Sequence, residues 1–562
     1  MYFISGYFFG TDRIFQFSAF GNRFILLEYS FRLTELSVGY ALILSTGPKT
    51  MILKFFSSRP VHPLGDPKEL KRVLADLPEE AFKAVSEIYG WFESLRMADD
   101  FHLDQMFDVV SRLDEAGQPY LRSLLHEYLE TSHLSKSDER RLWAMCFNYW
   151  GEVASLYGYC IERLRKSPKG RGVEGFKNKL PLAATRLLTA RSSQLKWVEY
   201  RYGSVGEDLW RGIGRPYLEA EAEKYAQKLV QGYPGASRTT SVAQQYLHAL
   251  VRSSSSMGAL LPIEIELADQ LIAHLLPGFV LSEKCLPGNV YWVDAAAGSP
   301  PTRLAKPPPL PLPSLRFLLP GTVPQTLSEL IHSVERGVIP ANLNLGGEYS
   351  EVMLLKVLQH LSLYWSEVPP QREHVRHAVK TRISVLQGFN DCLTVFAGNV
   401  ARLNTERSAE SWVVENVSLG GFCAEVKEIG DWLQIGVLLC IQPEGGKNWM
   451  LGMVRRCSVT PNKRASIGIQ TLSREAQSIE LHPQASMFPV VEAIPGILLC
   501  GEGDSGEIRV VMPKGSFDVR VNQEYSLGEK RFVLIPLALD ETGSNFEIAR
   551  YREQLVSGSA PN

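Results

Sequence analysis

Eight cysteines are scattered over 562 residues, and no two of them form a Cys-x-x-Cys pair. That spacing excludes the common zinc modules and the dithiol redox motif, and it points to free, buried thiols in a reducing compartment. Signatures of catalysis are missing as well: there is no His-Glu-x-x-His, no phosphate loop ending in Gly-Lys-Ser or Gly-Lys-Thr, and no Gly-x-Ser-x-Gly elbow. No catalytic residue, metal ligand or cofactor is therefore assigned, and the chain is not expected to be an enzyme. Excess charge is also lacking, with 59 Lys and Arg against 61 Asp and Glu. Such a balance supports neither general nucleic-acid binding nor a polybasic membrane anchor, so any anion site must be local. Long apolar runs are absent. The uncharged stretch 36–48 is too short to span a bilayer, and Asp12, Arg13, Arg23 and Glu28 interrupt the earlier apolar stretches, which argues against a signal peptide. A cytoplasmic protein without a transmembrane segment is the expectation.

What is present changes character along the chain. Residues 1–60 are aromatic and poor in charge; they read as a poorly defined extension, or as an upstream mis-start with the chain opening at Met51. Ordinary domain sequence begins at Asp66-Pro67, a helix N-cap followed by proline at the first helical position. Residues 61–276 then read as an α-helical domain. Leu70, Val73, Leu74 and Leu77 recur at helical spacing, and Ser135-x-x-Asp138 caps a run through Trp143, Cys146, Phe147 and Trp150. Basic residues at 166, 169, 171, 177 and 179 surround Gly170 and Gly172, as a solvated loop would. Residues 277–327 turn to proline and glycine, with the run Pro307-Pro308-Pro309-Leu310-Pro311-Leu312-Pro313 predicting a semi-rigid polyproline linker. Residues 328–369 supply a helical connector with segments at 328–338 and 350–365.

Two short motifs some forty residues apart carry the chemistry. The first is Arg372-Glu373-His374-Val375-Arg376, at the entrance to a strand-rich region. Two guanidiniums four residues apart in a short lead can both fork onto phosphate oxygens or lie flat on purine rings. Around them Lys380, Arg382, His374 and His377 face only Glu373. The second motif is Asn416-Val417-Ser418-Leu419-Gly420-Gly421, which offers an amide, a hydroxyl and a glycine that permits close backbone approach. Together they suit an anionic, guanine-bearing ligand. Either motif alone is commonplace, since Arg-x-x-x-Arg usually marks a solvated helix face and Asn-x-Ser-x-x-Gly a surface turn.

The pair resembles the signature of the PilZ family, Arg-x-x-x-Arg followed by Asp or Asn-x-Ser-x-x-Gly. Strands are similar to the family's at 383–386, 412–416, 451–456 (Leu-Gly-Met-Val-Arg-Arg) and 467–470, so the resemblance covers residues 370 to about 480. It implies a six-stranded β-barrel at 370–482 and cyclic di-GMP as ligand. Arg372 and Arg376 would bind phosphates and stack on guanine, Asn416 and Ser418 would read a guanine edge, and Gly421 would keep the turn open. Many members have Asp where Asn416 stands; a neutral amide in place of an acceptor-only carboxylate implies weaker pairing with guanine. No Gly-Gly-Asp-Glu-Phe or Glu-Ala-Leu motif, which would mark synthesis or breakdown of that dinucleotide, is present.

Beyond the barrel, residues 483–562 read as further strands, at 497–500, 507–512, 517–521, 531–537 and 545–551, forming a second small barrel or extending the first. Gly501-Glu502-Gly503-Asp504-Ser505-Gly506 fits a dinucleotide fingerprint literally but lies between strands, which makes it a hairpin turn. The fold class that follows is α+β multidomain: an all-α N-terminal region, then a PilZ-like antiparallel β-barrel and additional C-terminal β-strands. The function that follows is a cyclic di-GMP receptor whose helical domain addresses a protein partner, a ligand held by the arginines over the barrel mouth fixing the angle of the 350–365 helix. The alternative is a non-binding PilZ-like scaffold for protein–protein interaction. Nothing singles out a specific nucleic acid as partner.

Overall fold

The computed structural model describes residues 4–10, 13–20, 23–30 and 38–40, and residues 62–556 apart from breaks at 99, 131–133, 341–342, 369–373, 400–408, 428–429, 431, 461–463, 485–492, 501–505 and 544. Two compact units result, divided between Arg59 and Pro60. In the first, Ile4–Gly10, Arg13–Phe20, Arg23–Ser30 and Val38–Tyr40 form an antiparallel sheet in chain order. The alternative start at Met51 lies outside the described residues.

The second unit opens with nine α-helices among the described residues from Pro67 to Leu275. Their ends follow from local chemistry. The Asp66 carboxylate accepts from the Lys68 amide (3.0 Å), and the Ser135 hydroxyl accepts from the Asp138 amide (3.1 Å), each satisfying a donor the first turn leaves open. Inside, a polar knot fixes the long loop after Glu207–Ala222. Buried Asp114 accepts from the Tyr157 hydroxyl (2.9 Å), the Tyr233 hydroxyl (3.0 Å) and the Gln118 amide (2.8 Å).

The proline-rich stretch is not a linker. Within 277–327, residues 280–319 fold as a four-stranded antiparallel sheet in the order Val280–Ser282, Leu315–Leu319, Tyr291–Asp294, Thr302–Arg303. Val290, Tyr291, Val293, Leu315, Phe317 and Leu318 are buried, and that apolar content outweighs the prolines, whose densest run, Pro307 to Pro313, lies in the loop before Leu315. The sheet also closes the Glu351–Trp365 helix. The Arg303 guanidinium donates to the carbonyls of Tyr364 (2.8 Å), Ser366 and Glu367 (3.2 Å), meeting the orphan acceptors and negative dipole end of its last turn. The preceding helix, Val323–Glu335, starts five residues before the predicted segment.

Two closed antiparallel barrels follow. The first closes in the order Glu410–Ser418, Gly421–Val426, Ala465–Ser473, Met450–Val459, Leu438–Pro443, His377–Gln387. The second closes as Glu475–Pro483, Ile494–Cys500, Glu507–Pro513, Phe546–Leu555, Lys530–Thr542, Gln523–Leu527. The predicted α+β architecture is therefore the observed one, with two differences. The strand at 475–483 pairs with Ile494–Cys500 and belongs to the second barrel. The strand expected at 517–521 is a turn, because the Glu547 carboxylate gathers the amides of Gly515 (2.9 Å) and Phe517 while Asp518 pairs with Arg520. A short helix, Phe389–Phe396, joins the barrels: Phe389, Cys392 and Val395 share one apolar cluster with Leu438 and Leu451 of the first and Ile497 and Val511 of the second.

The first barrel meets the helical region at the bend Ser254–Ala259 and at Tyr202. Val459 donates its amide to the Tyr202 carbonyl (2.7 Å), and Gly258 lies so close to the Cys457 carbonyl that a Cβ would stand 2.6 Å from it. Tyr202 and Ser256 both hold left-handed backbone, at φ 55 and 52°. From the other side Trp365 donates to the Ser255 hydroxyl (2.9 Å) and His360 contacts the Ser255 carbonyl (2.7 Å). No helix among the described residues is long and apolar enough to cross a membrane.

Burial raises the Asp114 carboxyl from 3.8 to about 6. The unfolded chain thus releases this proton first, and the native state loses stability as pH rises between those values, by on the order of 3 kcal/mol. Followed through the helical circular-dichroism signal, Asp114→Asn should flatten stability across that window; an unchanged slope would contradict the assignment.

Candidate functional site

The site is built on the outer wall of the first barrel, not over its mouth. In Ala465–Ser473, Ile467 and Ile469 point into the core while Ser466, Gly468 and Gln470 alternate outward. These outward residues floor a cavity of about 370 Å³ that is walled by the Ser418–Gly421 turn, the Arg376 lead and the Met450–Val459 strand. Its cations are Arg376, Arg455 and Arg456, and none of its described lining residues is acidic.

Irregular backbone makes this convergence possible. Regular pleating would send Arg455 and Arg456 to opposite faces. The register of Met450–Val459 against Ala465–Ser473 instead slips by one residue between Val454 and Arg456, and the extra residue turns both guanidiniums onto the cavity. A second slip, between Val414 and Asn416, precedes the turn.

The motif glycines have separate jobs. Gly421 sits at φ 155°, and a Cβ there would stand 2.1 Å from the Ile469 carbonyl, so only glycine lets the neighbouring strand approach. Gly468 leaves the floor flat beneath Arg456, whose Cβ would lie 3.2 Å from any added methyl. Beside Gly420 the same construction meets the His374 ring at 3.1 Å, which places the arginine lead directly against the turn.

Of the residues singled out in the sequence, Arg376, Ser418 and Gly421 line the one cavity. Ser418 closes the turn by donating to the Gly421 carbonyl (3.0 Å). Asn416 is not among the lining residues; its amide oxygen is buried with no partner among the described residues. An orphan acceptor of that kind costs about 1–3 kcal/mol until a donor reaches it. Arg372 lies outside the described residues. Sequence reasoning missed Arg455, Arg456, Gly468 and Gln470. The adjacent arginines on a strand were visible, but strict alternation hides a bulge that no local pattern announces.

The cations differ in how they are held. Arg376 and Arg456 are exposed, with no carboxylate partner among the described residues, whereas Arg455 is held by Gln470 and by Glu541 of the second barrel. Two free guanidiniums beside a glycine-lined floor form an anion-binding surface with planar, forked donors. Residues 501–505 of the literal dinucleotide fingerprint lie outside the described residues; the strands on either side of it pair antiparallel, and no helix follows among the described residues.

Gly421→Ala should cost the chain about 1–3 kcal/mol in denaturant unfolding, because the added methyl meets backbone. Gly420→Ala should cost less, since it meets only a histidine ring; equal losses would contradict the stated role of Gly421.

Comparison with known proteins agrees with this geometry. Residues 68–284 match the family model described as the N-terminal domain of the cyclic-di-GMP receptor FimW, which spans the helical region. Residues 398–478 match that receptor's middle PilZ domain, which takes in the Asn-x-Ser-x-x-Gly turn and the cavity floor. No curated protein matches the chain. A six-stranded barrel with an arginine lead against its glycine turn, matched over residues 398–478 by the family model, identifies a PilZ domain in this part of the chain.

Proposed function

We propose that the chain is a cytoplasmic cyclic di-GMP receptor that binds the dinucleotide at the outer-wall cavity and passes the event to its helical region. The observation that carries the reading is the gathering of Arg376, Arg455 and Arg456 around the Ser418–Gly421 turn with no acid in the described lining. Arg376, with Arg372 preceding it, and Arg456 take the phosphates; Ser418 and Gly421 hold the turn in shape beneath a guanine. Asn416, two residues back on the same strand face, offers its unpartnered oxygen to a guanine donor edge.

Coupling follows from the bend at Ser254–Ala259. A ligand bridging Arg376 and Arg456 links the chain leaving the Glu351–Trp365 helix to the Met450–Val459 strand, and both of those elements rest on this bend. The bend carries left-handed Ser256 and faces left-handed Tyr202, non-glycine conformations held at a cost that small displacements can release. The helical region is then the surface that addresses a protein partner.

Calorimetric titration with cyclic di-GMP tests the binding. Each forked arginine–phosphate bond is worth roughly 1.5–3 kcal/mol, so Arg376→Ala should weaken affinity about tenfold or more. The scaffold reading gives no heat for either protein. Hydrogen exchange across residues 366–380 and 254–260 should slow on saturation; unchanged protection would remove the coupling while leaving the binding.

A further inference from the structure

Arg455 is the cavity cation that already has an anion. Its Nε donates to the Gln470 Oε1 (2.7 Å), one terminal nitrogen donates to the Glu541 Oε2 (2.7 Å), and the other donates to the Glu541 Oε1. Glu541 belongs to the second barrel, on Lys530–Thr542. It reaches across because that strand carries a bulge: pairing with Phe546–Leu555 slips between Leu539 and Glu541, and the extra residue, Asp540, turns instead to Arg550 (3.3 Å).

The two parallel N–H groups at the end of a guanidinium form the fork that phosphate uses, and here a carboxylate fills it. With Nε on Gln470 as well, no complete fork remains on Arg455 for a second anion. The pair is open to solvent, with side-chain exposures of 40% and 29%, so it exchanges readily.

We infer that Glu541 is a tethered competitor for the cavity's anion. A ligand phosphate that takes the Arg455 fork must expel the Glu541 carboxylate, and the second barrel thereby sets the affinity of the first. The inference rests on the reading that cyclic di-GMP binds this cavity. Because the competitor is attached to the same chain, it acts at a fixed effective concentration and dilution cannot remove it.

The test is a calorimetric double-mutant cycle on the full chain with cyclic di-GMP as titrant: wild type, Glu541→Gln, Arg455→Ala and the double variant. Gln keeps the volume and one acceptor but gives up the charge. Glu541→Gln should bind roughly two- to fivefold more tightly, the range expected when an exposed ion pair no longer opposes binding. In the Arg455→Ala background the same change should have no effect. In the wild type, saturating ligand should also speed hydrogen exchange at residues 539–542. Equal or weaker binding by Glu541→Gln, or exchange that does not change, overturns the competitor while the receptor reading stands. If the wild type and all variants fail to bind, the receptor reading falls and the competitor falls with it.

Discussion

Three guanidiniums can face one small cavity only where the backbone departs from a regular pleat, and every functional feature of the first barrel depends on that departure. The bulge between Val454 and Arg456 brings consecutive arginines to one side, and Gly421 lets the floor strand approach to a distance that a single Cβ would forbid. Without the bulge Arg455 or Arg456 would be lost from the wall; without the glycine the turn would be pushed away from its floor. Charge alone does not make the site, since the chain is close to neutral overall. Local geometry concentrates cations that composition does not.

The same strand that carries those arginines is the one that touches the helical region, through Cys457 and Val459. The helix that leads to the arginine motif touches the same bend through Trp365 and His360. Two segments bearing cations are thus anchored to one strained loop, and the first barrel is in turn bonded to the second by an apolar cluster around Phe389–Phe396 and by the Arg455–Glu541 pair. In the proposed function, an anion drawn into the cavity would act on all three parts.

Features governed by neighbours a few residues apart were legible in the sequence. Asp66-Pro67 and Ser135-x-x-Asp138 announced their helices, and the two motifs announced the barrel. What escaped was set by partners distant along the chain. The stretch around Pro307–Pro313 has the composition of a spacer, yet buried Tyr291, Phe317 and Leu318 on its flanks make it a sheet, with Arg303 acting sixty residues away as a helix cap. The expected grip of the arginines lay over the barrel mouth, whereas the candidate cavity is floored by the outward row Ser466, Gly468 and Gln470 on the wall. Glu541 could not be linked to Arg455 by any pattern, since their contact exists only once two barrels have closed and each has bulged.

The measurement that bears most directly on this account is a structure of the full chain with cyclic di-GMP bound. The account predicts phosphate oxygens within hydrogen-bond distance of Arg376 and Arg456 and a guanine against the Ser418–Gly421 turn. A dinucleotide lodged elsewhere on the chain, with those two arginines still facing solvent, would contradict it.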